Sequence, residues 1–197
     1  MALRWAAIAM LNLPNFLTLF RILTIPFFLI ALAYHLYWEA LLIFALGGIT
    51  DFLDGLAARW MGQETRLGAY LDPVADKLLV FSSYVMLGSI EAMPPWLVVI
   101  VVMRDVFILL GFGIIYYLTE EKFDARPTLI GKSSTLLQLI TLAVALASLH
   151  DSTLIPQVIL DALIAATAAT TMLSGMQYLY RGFLWLQNRT PPGASNA

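Results

Sequence analysis

The sequence predicts an all-α integral membrane protein. Six transmembrane helices are expected, preceded by a short N-terminal membrane-surface helix, with both termini cytoplasmic. Three observations carry this. The chain is 60% hydrophobic and 12% charged, with a mean hydropathy of +0.82, whereas a soluble domain carries roughly 25% charged residues. Its apolar stretches stand near the roughly 20 residues that a helix needs to cross the hydrocarbon. All 11 Lys and Arg residues fall on one side of the layout those stretches define.

The opening segment MALRWAAIAMLNLPN has one Arg, a weakly apolar run and no small-residue cleavage site after it. It reads as a retained membrane-surface helix and not as a signal peptide. Spans follow at residues 16–35, 38–59, 72–90, 95–118, 131–149 and 155–180. The connections at 35–38, 91–94 and 150–154 are short and hold Glu91, His150 and Asp151 but no Lys or Arg. The basic residues Arg4, Arg21, Arg59, Arg66, Lys77, Arg104, Lys122, Arg126, Lys132, Arg181 and Arg189 occupy the opposite ends and loops. The positive-inside rule makes that side cytoplasmic. Residues 1–190 are expected to form one membrane domain, and 191–197, the end of NRTPPGASNA, a disordered tail. The chain has no Cys, which excludes disulfides and thiolate metal sites. A net charge of −2 singles out no partner. Basic residues dispersed at membrane ends leave no nucleic-acid footprint.

The chemistry is expected in TDFLDGLAARWMGQETRLGAYLDPVADK, which holds Asp51, Asp54, Asp72 and Asp76. Spacings of i, i+3 and i, i+4 put each carboxylate pair on one helix face. Converging anions repel unless something neutralises them, and hard oxygen ligands point to Mg²⁺ or Mn²⁺. The pairs fall at the cytoplasmic ends of spans 2 and 3. There a polar headgroup can enter from the cytosol while lipid tails stay in the bilayer. Gly55 and Ala58 allow a bulky group close to the backbone. Arg59 offers a planar fork to phosphate oxygens. The loop from Trp60 to Leu71 adds Gln63, Thr65, Arg66 and Gly68, whose glycine permits a close turn. Together these describe a two-metal site gripping a diphosphate, with one carboxylate as general base.

Structural readings compete at single residues. Asp72 before Pro73 suits a helix N-cap. Asp51 suits an ion pair with Arg21 or Arg104. Gly55 and Ala58 suit helix–helix packing, and Gln138 and Gln177 suit interhelical hydrogen bonds. A divalent-cation transporter is a rival of another class, resting on the same carboxylates. It lacks mid-membrane ligands and leaves Gly55, Ala58 and Arg59 without a purpose. An inactive lipid-binding scaffold would have no need of all four aspartates.

The window reads Asp51-x2-Asp54-Gly55-x2-Ala58-Arg59-x8-Gly68-x3-Asp72-x3-Asp76, eight positions fixed within 26 residues. It resembles the signature of the CDP-alcohol phosphatidyltransferases. The likeness extends to the six-span layout and to Pro14-Asn15-x2-Thr18-x2-Arg21. The resemblance implies that Asp51, Asp54, Asp72 and Asp76 bind two divalent cations, and that Asp76 also takes the proton from the acceptor hydroxyl. Metal ligation alone is the plainer role for Asp76. Gly55, Ala58, Arg59, Thr65, Gly68, Asn15 and Thr18 would line the CDP-diacylglycerol site. The hydroxyl would attack the phosphorus bearing diacylglycerol, and CMP would leave. The resemblance further implies a homodimer in the bacterial inner membrane, its active site facing the cytoplasm.

The acceptor is less sharply written. Spans 4 to 6 offer Arg104, Arg126, Lys132 and Arg181, with Asp105, Thr128 and Gln138 beside them. Arg104-Asp105 reads equally as a neutralised pair within the membrane, where an isolated charge is costly. LPNFLTLFRILTIPFF, Gly131-Lys132-x2-Thr135-x2-Gln138 and Ser174-x2-Gln177-Tyr178 resemble bacterial phosphatidylglycerophosphate synthases, which use glycerol 3-phosphate. That subfamily usually has Arg-Glu in span 4 and a second Arg soon after, where this chain has Arg104-Asp105 and VFILLGFGIIYYL. Arg104-Asp105-Val106, Arg126-Pro127-Thr128-Leu129-Ile130 and the Ala/Thr-rich span 6 look like CMP-forming cardiolipin synthases, which use phosphatidylglycerol. One fewer cation suits the lipid monoanion better than the small dianion.

Overall fold

The computed structural model describes residues 13–61, 66–119 and 128–187; side chains at 13–15, 51–61 and 66–73, among others, lie outside that description. Among the described residues there are six helices and no strand. They are α1 (Leu13–Ala33), α2 (Tyr37–Met61), α3 (Arg66–Ser89), α4 (Pro95–Thr119), α5 (Leu129–His150) and α6 (Gln157–Gln187). Each expected span falls on one of them. Three stretches are long and apolar enough to cross a membrane, namely Phe16–Ala33, Leu129–His150 and Gln157–Trp185, and Tyr37–Thr50 is a shorter apolar one. The expected surface helix lies largely outside the described residues, although α1 already begins at Leu13. The expected tail, 191–197, lies wholly outside them.

The helices outrun the apolar stretches. Helix α3 starts at Arg66, six residues before Asp72, and α6 runs on to Gln187. Backbone hydrogen bonding does not stop where hydropathy falls, because polar side chains such as Arg and Gln are good helix formers. Asp72 therefore does not cap α3, which corrects the N-cap reading.

Two helix ends share one device. After α1, His35 adopts φ 59°, with Leu36 N–H bonded to Ala31 O at 2.8 Å and His35 N–H to Leu32 O at 3.0 Å. After α3, Glu91 adopts φ 59°, with Ala92 N–H on Leu87 O at 2.9 Å and Glu91 N–H on Gly88 O at 3.2 Å. Both are Schellman caps carrying a non-glycine residue in the left-handed position.

The chain forms two compact units, Met1–Pro94 with Leu142–Leu160 and Pro95–Thr141 with Asp161–Ala197. In the first, α1 packs against α2 and α3. Thr18, Arg21, Ile25, Phe28 and Leu32 are buried at alternating steps of three and four, so one face of α1 enters the interface. Phe28 meets Phe44 of α2 with ring centroids 6.1 Å apart. Leu79, Val80, Ser83, Tyr84 and Leu87 form the answering stripe of α3. At the far end of this unit Trp38 lies 5.1 Å from the His150 ring. Asp151 Oδ1 accepts from Thr153 N–H at 2.8 Å and from its hydroxyl at 2.7 Å. Those two bonds hold the Asp151 carboxyl below the usual carboxylate range.

In the second unit the buried residues are unusually polar. Ser134 and Gln138 of α5 bond Thr171 of α6 at 3.0 and 3.1 Å, and Thr141 bonds Thr167 at 2.7 Å. Where lipid replaces water, apolar burial drives little association, and such interhelical bonds contribute about 0.6–2 kcal/mol each. Gln138 thus has the interhelical role expected of it.

Candidate functional site

The burial pattern of the first unit decides what stands at one end of it. The stripe that buries Phe28 and Leu32 of α1 continues, one turn at a time, to Arg21 and Thr18. The stripe of α3 continues back from Leu79 to Asp76. The two meet as an ion pair: Arg21 Nη1 donates to Asp76 Oδ1 at 2.7 Å. The Arg21 side chain is 1% exposed and that of Asp76 is 51% exposed. A buried guanidinium thus holds one edge of a half-exposed carboxylate. The cation offsets the carboxylate charge and the buried stem of Arg21 fixes its direction.

Asp51 and Asp54 lie on α2, and Asp72 and Asp76 on α3, with residues 62–65 between the helices. Gly55, Ala58 and Arg59 continue α2, Gly68 stands in the first turn of α3, and Asn15 in the first turn of α1. The side chains of Asp51, Asp54, Ala58, Arg59, Asp72 and Asn15 lie outside the described residues, as does Thr65 entirely. Among the described residues no group of three or more potential metal ligands comes together, three of the four aspartates being outside that set. Thr18 is buried one turn before Arg21.

The second unit holds the remaining candidates. Arg104 of α4 is 8% exposed. Its Nη1 donates to Asp105 Oδ1 at 2.7 Å and its Nη2 to Ser174 Oγ of α6 at 2.8 Å. The expected Arg104–Asp105 pair is therefore formed. Lys132 and Arg181 are exposed on α5 and α6 and take no part in this network among the described residues; Arg126 lies outside them. Thr128 caps α5, its Oγ1 accepting from Gly131 N–H at 2.9 Å.

Sequence reasoning missed two partnerships. The sequence suggests Asp51 as a partner of Arg21, and its side chain lies outside the described residues; the described pair joins Arg21 to Asp76. Ser174 and Tyr178 entered only as a shared motif, yet both meet Arg104. The i, i+4 spacing of Ser174 and Tyr178 was the available signal, since it puts both on one face of α6.

Three helices long and apolar enough to cross a membrane mark a helical membrane protein, and the carboxylate-rich stretch lies on two others, α2 and α3. The sequence model of the CDP-alcohol phosphatidyltransferases matches residues 11–176, and the chain belongs to that family. It is 35% identical over 153 residues to a Drosophila melanogaster protein named "Probable cardiolipin synthase (CMP-forming)". That match covers 70% of this chain and 48% of the relative, so the chain spans about half that relative's length. It is 31% identical over 176 residues to the CDP-diacylglycerol–glycerol-3-phosphate 3-phosphatidyltransferase of Aquifex aeolicus, covering 88% of this chain and 97% of the relative. A protein of the same name from Sodalis glossinidius is 35% identical over 179 residues, covering 86% and 94%. Family membership leaves the cation-transporter reading without support.

Proposed function

We propose that this chain is a metal-dependent phosphatidyltransferase that moves a phosphatidyl group from CDP-diacylglycerol to an acceptor hydroxyl and releases CMP. The observation that carries the reading is the pair of carboxylate doublets at helical spacing on successive helices, with the half-open Asp76 oriented by a buried Arg21. The donor set suits hard divalent cations: four carboxylates, with no thiolate in the chain. Asp51, Asp54, Asp72 and Asp76 would hold two ions, Mg²⁺ or Mn²⁺, which supply charge neutralisation at the diphosphate. Gly55, Ala58, Arg59, Thr65, Gly68, Asn15 and Thr18 receive the cytidine diphosphate. Asp76 takes the proton of the acceptor hydroxyl. The acceptor oxygen bonds to the phosphorus bearing diacylglycerol, the bond from that phosphorus to the oxygen of CMP breaks, and CMP leaves.

Arg104, Arg126, Lys132 and Arg181 form the acceptor site. Phosphatidylglycerol is the acceptor on this reading, making the chain a cardiolipin synthase. A lipid monoanion needs fewer fixed cations than a small dianion, and α4 offers one Arg where glycerol 3-phosphate users usually have two. Glycerol 3-phosphate is the second reading, favoured by the near full-length likeness to the Aquifex aeolicus and Sodalis glossinidius proteins. The six helices all span the bacterial inner membrane, the active site and both termini face the cytoplasm, and the protein is a homodimer. Residues 1–190 act as one catalytic domain, a reading supported by the family match running through both compact units.

CMP release by purified protein in detergent, with CDP-diacylglycerol, Mg²⁺ or Mn²⁺ and one acceptor at a time, tests this. Turnover is expected with phosphatidylglycerol; turnover with glycerol 3-phosphate alone selects the second reading. Asp76→Asn is expected to bind CDP-diacylglycerol while releasing CMP at least about 100-fold more slowly, the scale of a lost general base. Undiminished release by Asp76→Asn would remove the proton-accepting role.

A further inference from the structure

Three features of α6 converge on one arginine, two on its guanidinium and one on its stem. Ser174 Oγ accepts from Arg104 Nη2 at 2.8 Å. The Tyr178 ring lies under the same group, with Arg104 Cζ 5.8 Å from its centroid. Between them in sequence, Gly175 brings the α6 backbone close: a Cβ there would stand 3.5 Å from Arg104 Cγ. Arg104 thus sits against a notch made of a hydroxyl, a bare stretch of backbone and an aromatic face.

Charge alone does not account for this construction. Asp105 already neutralises Arg104 at 2.7 Å, and it comes from the same helix. Ser174 and Tyr178 add no charge. They add direction, because a hydroxyl bond to one nitrogen and a ring beneath the plane fix how the guanidinium is turned. Its buried Nε has no hydrogen-bond partner among the described residues. Tyr178 is fixed in turn by the first turn of α5. A Cβ on Gly131 would lie 3.2 Å from Tyr178 Oη and 3.2 Å from Thr128 Oγ1, so a larger residue would press on the ring and the cap by a few tenths of an ångström.

We infer that Ser174 and Tyr178 are positioning residues for the acceptor. They hold Arg104 in the orientation in which it meets the acceptor's phosphate, a group that glycerol 3-phosphate and phosphatidylglycerol share. The inference rests on the proposed reading of Arg104 as an acceptor contact. Gly131 supports the same device by keeping Tyr178 in place.

The test uses the full chain in detergent at saturating CDP-diacylglycerol, following initial CMP release against glycerol 3-phosphate and against phosphatidylglycerol. Ser174→Ala and Tyr178→Leu are expected to raise the acceptor KM about tenfold, the factor carried by a bond to a charged group. At an assay temperature well below the unfolding midpoint of each variant, which the loss of a buried bond lowers, the KM for CDP-diacylglycerol should stay unchanged, and Ser174→Thr should restore the acceptor KM. Gly131→Ala should raise it as well, although alanine is the better helix former. A fall in kcat with both KM values unchanged would overturn the positioning role. Arg104→Lys separates the two levels. If it leaves the acceptor KM unchanged, the acceptor reading of Arg104 fails and this inference with it. If it raises that KM while Ser174→Ala and Tyr178→Leu do not, the positioning role alone fails.

Discussion

Arg21 and Asp76 form the contact on which the first unit's polar end turns. A fully buried guanidinium bonded to a half-exposed carboxylate should couple strongly, since a hydrogen bond to a charged group contributes about 1.5–3 kcal/mol. A double-mutant cycle with Arg21→Met and Asp76→Asn, read by thermal unfolding in detergent, should give a coupling of about 1–3 kcal/mol. A coupling near zero would mean the pair does not form. Asp76 was legible in the sequence because carboxylates are scarce in this chain and its spacing from Asp72 repeats the helical period. Its partner was not legible. Arg21 lies 55 residues away, and no local pattern reports which of several aspartates a distant helix will meet.

Helix order and approximate position were legible because apolar stretches alternate with polar connections along the chain. The start of α3 was not. Hydropathy marks where a helix leaves an apolar environment, whereas Arg66 to Asp72 is polar and helical at once. The caps at His35 and Glu91 were also hidden, since glycine is the residue that usually advertises a left-handed turn. Glu91 is exposed in that conformation, which costs an L-residue about 1–2 kcal/mol. Glu91→Gly should therefore raise stability by about 1 kcal/mol after the added freedom of the unfolded glycine is subtracted. Thermal unfolding in detergent checks this, and a lower midpoint would show that the side chain has a role the backbone geometry does not reveal. His35 is the contrasting case: its Nδ1 meets the Tyr37 hydroxyl at 2.7 Å, so glycine there would remove a bond as well as strain.

For the whole molecule, the proposed sidedness rests on where the basic residues fall. The chain has no cysteine, so single cysteines report without background. On the proposed topology Lys132→Cys should react with an impermeant maleimide only from the cytoplasmic side, and Ser152→Cys only from the opposite side. Labelling of both from one side would refute it. The family, too, was legible in the sequence, because eight positions of fixed type and spacing within 26 residues make a specific signature. The acceptor was not, because on the proposed reading it depends on how α4, α5 and α6 present a few cations, and the chain is similar to relatives of both names.

The bonds from Ser134, Gln138 and Thr141 to Thr171 and Thr167 have a mechanical consequence. They lie on successive turns, so sliding α5 along α6 by one turn, 5.4 Å, breaks all of them together. Apolar side chains would allow such a slip between neighbouring grooves, whereas directional donors and acceptors do not. Helix α6 and this part of α5 are therefore pinned in one register, which apolar packing alone would leave free to shift.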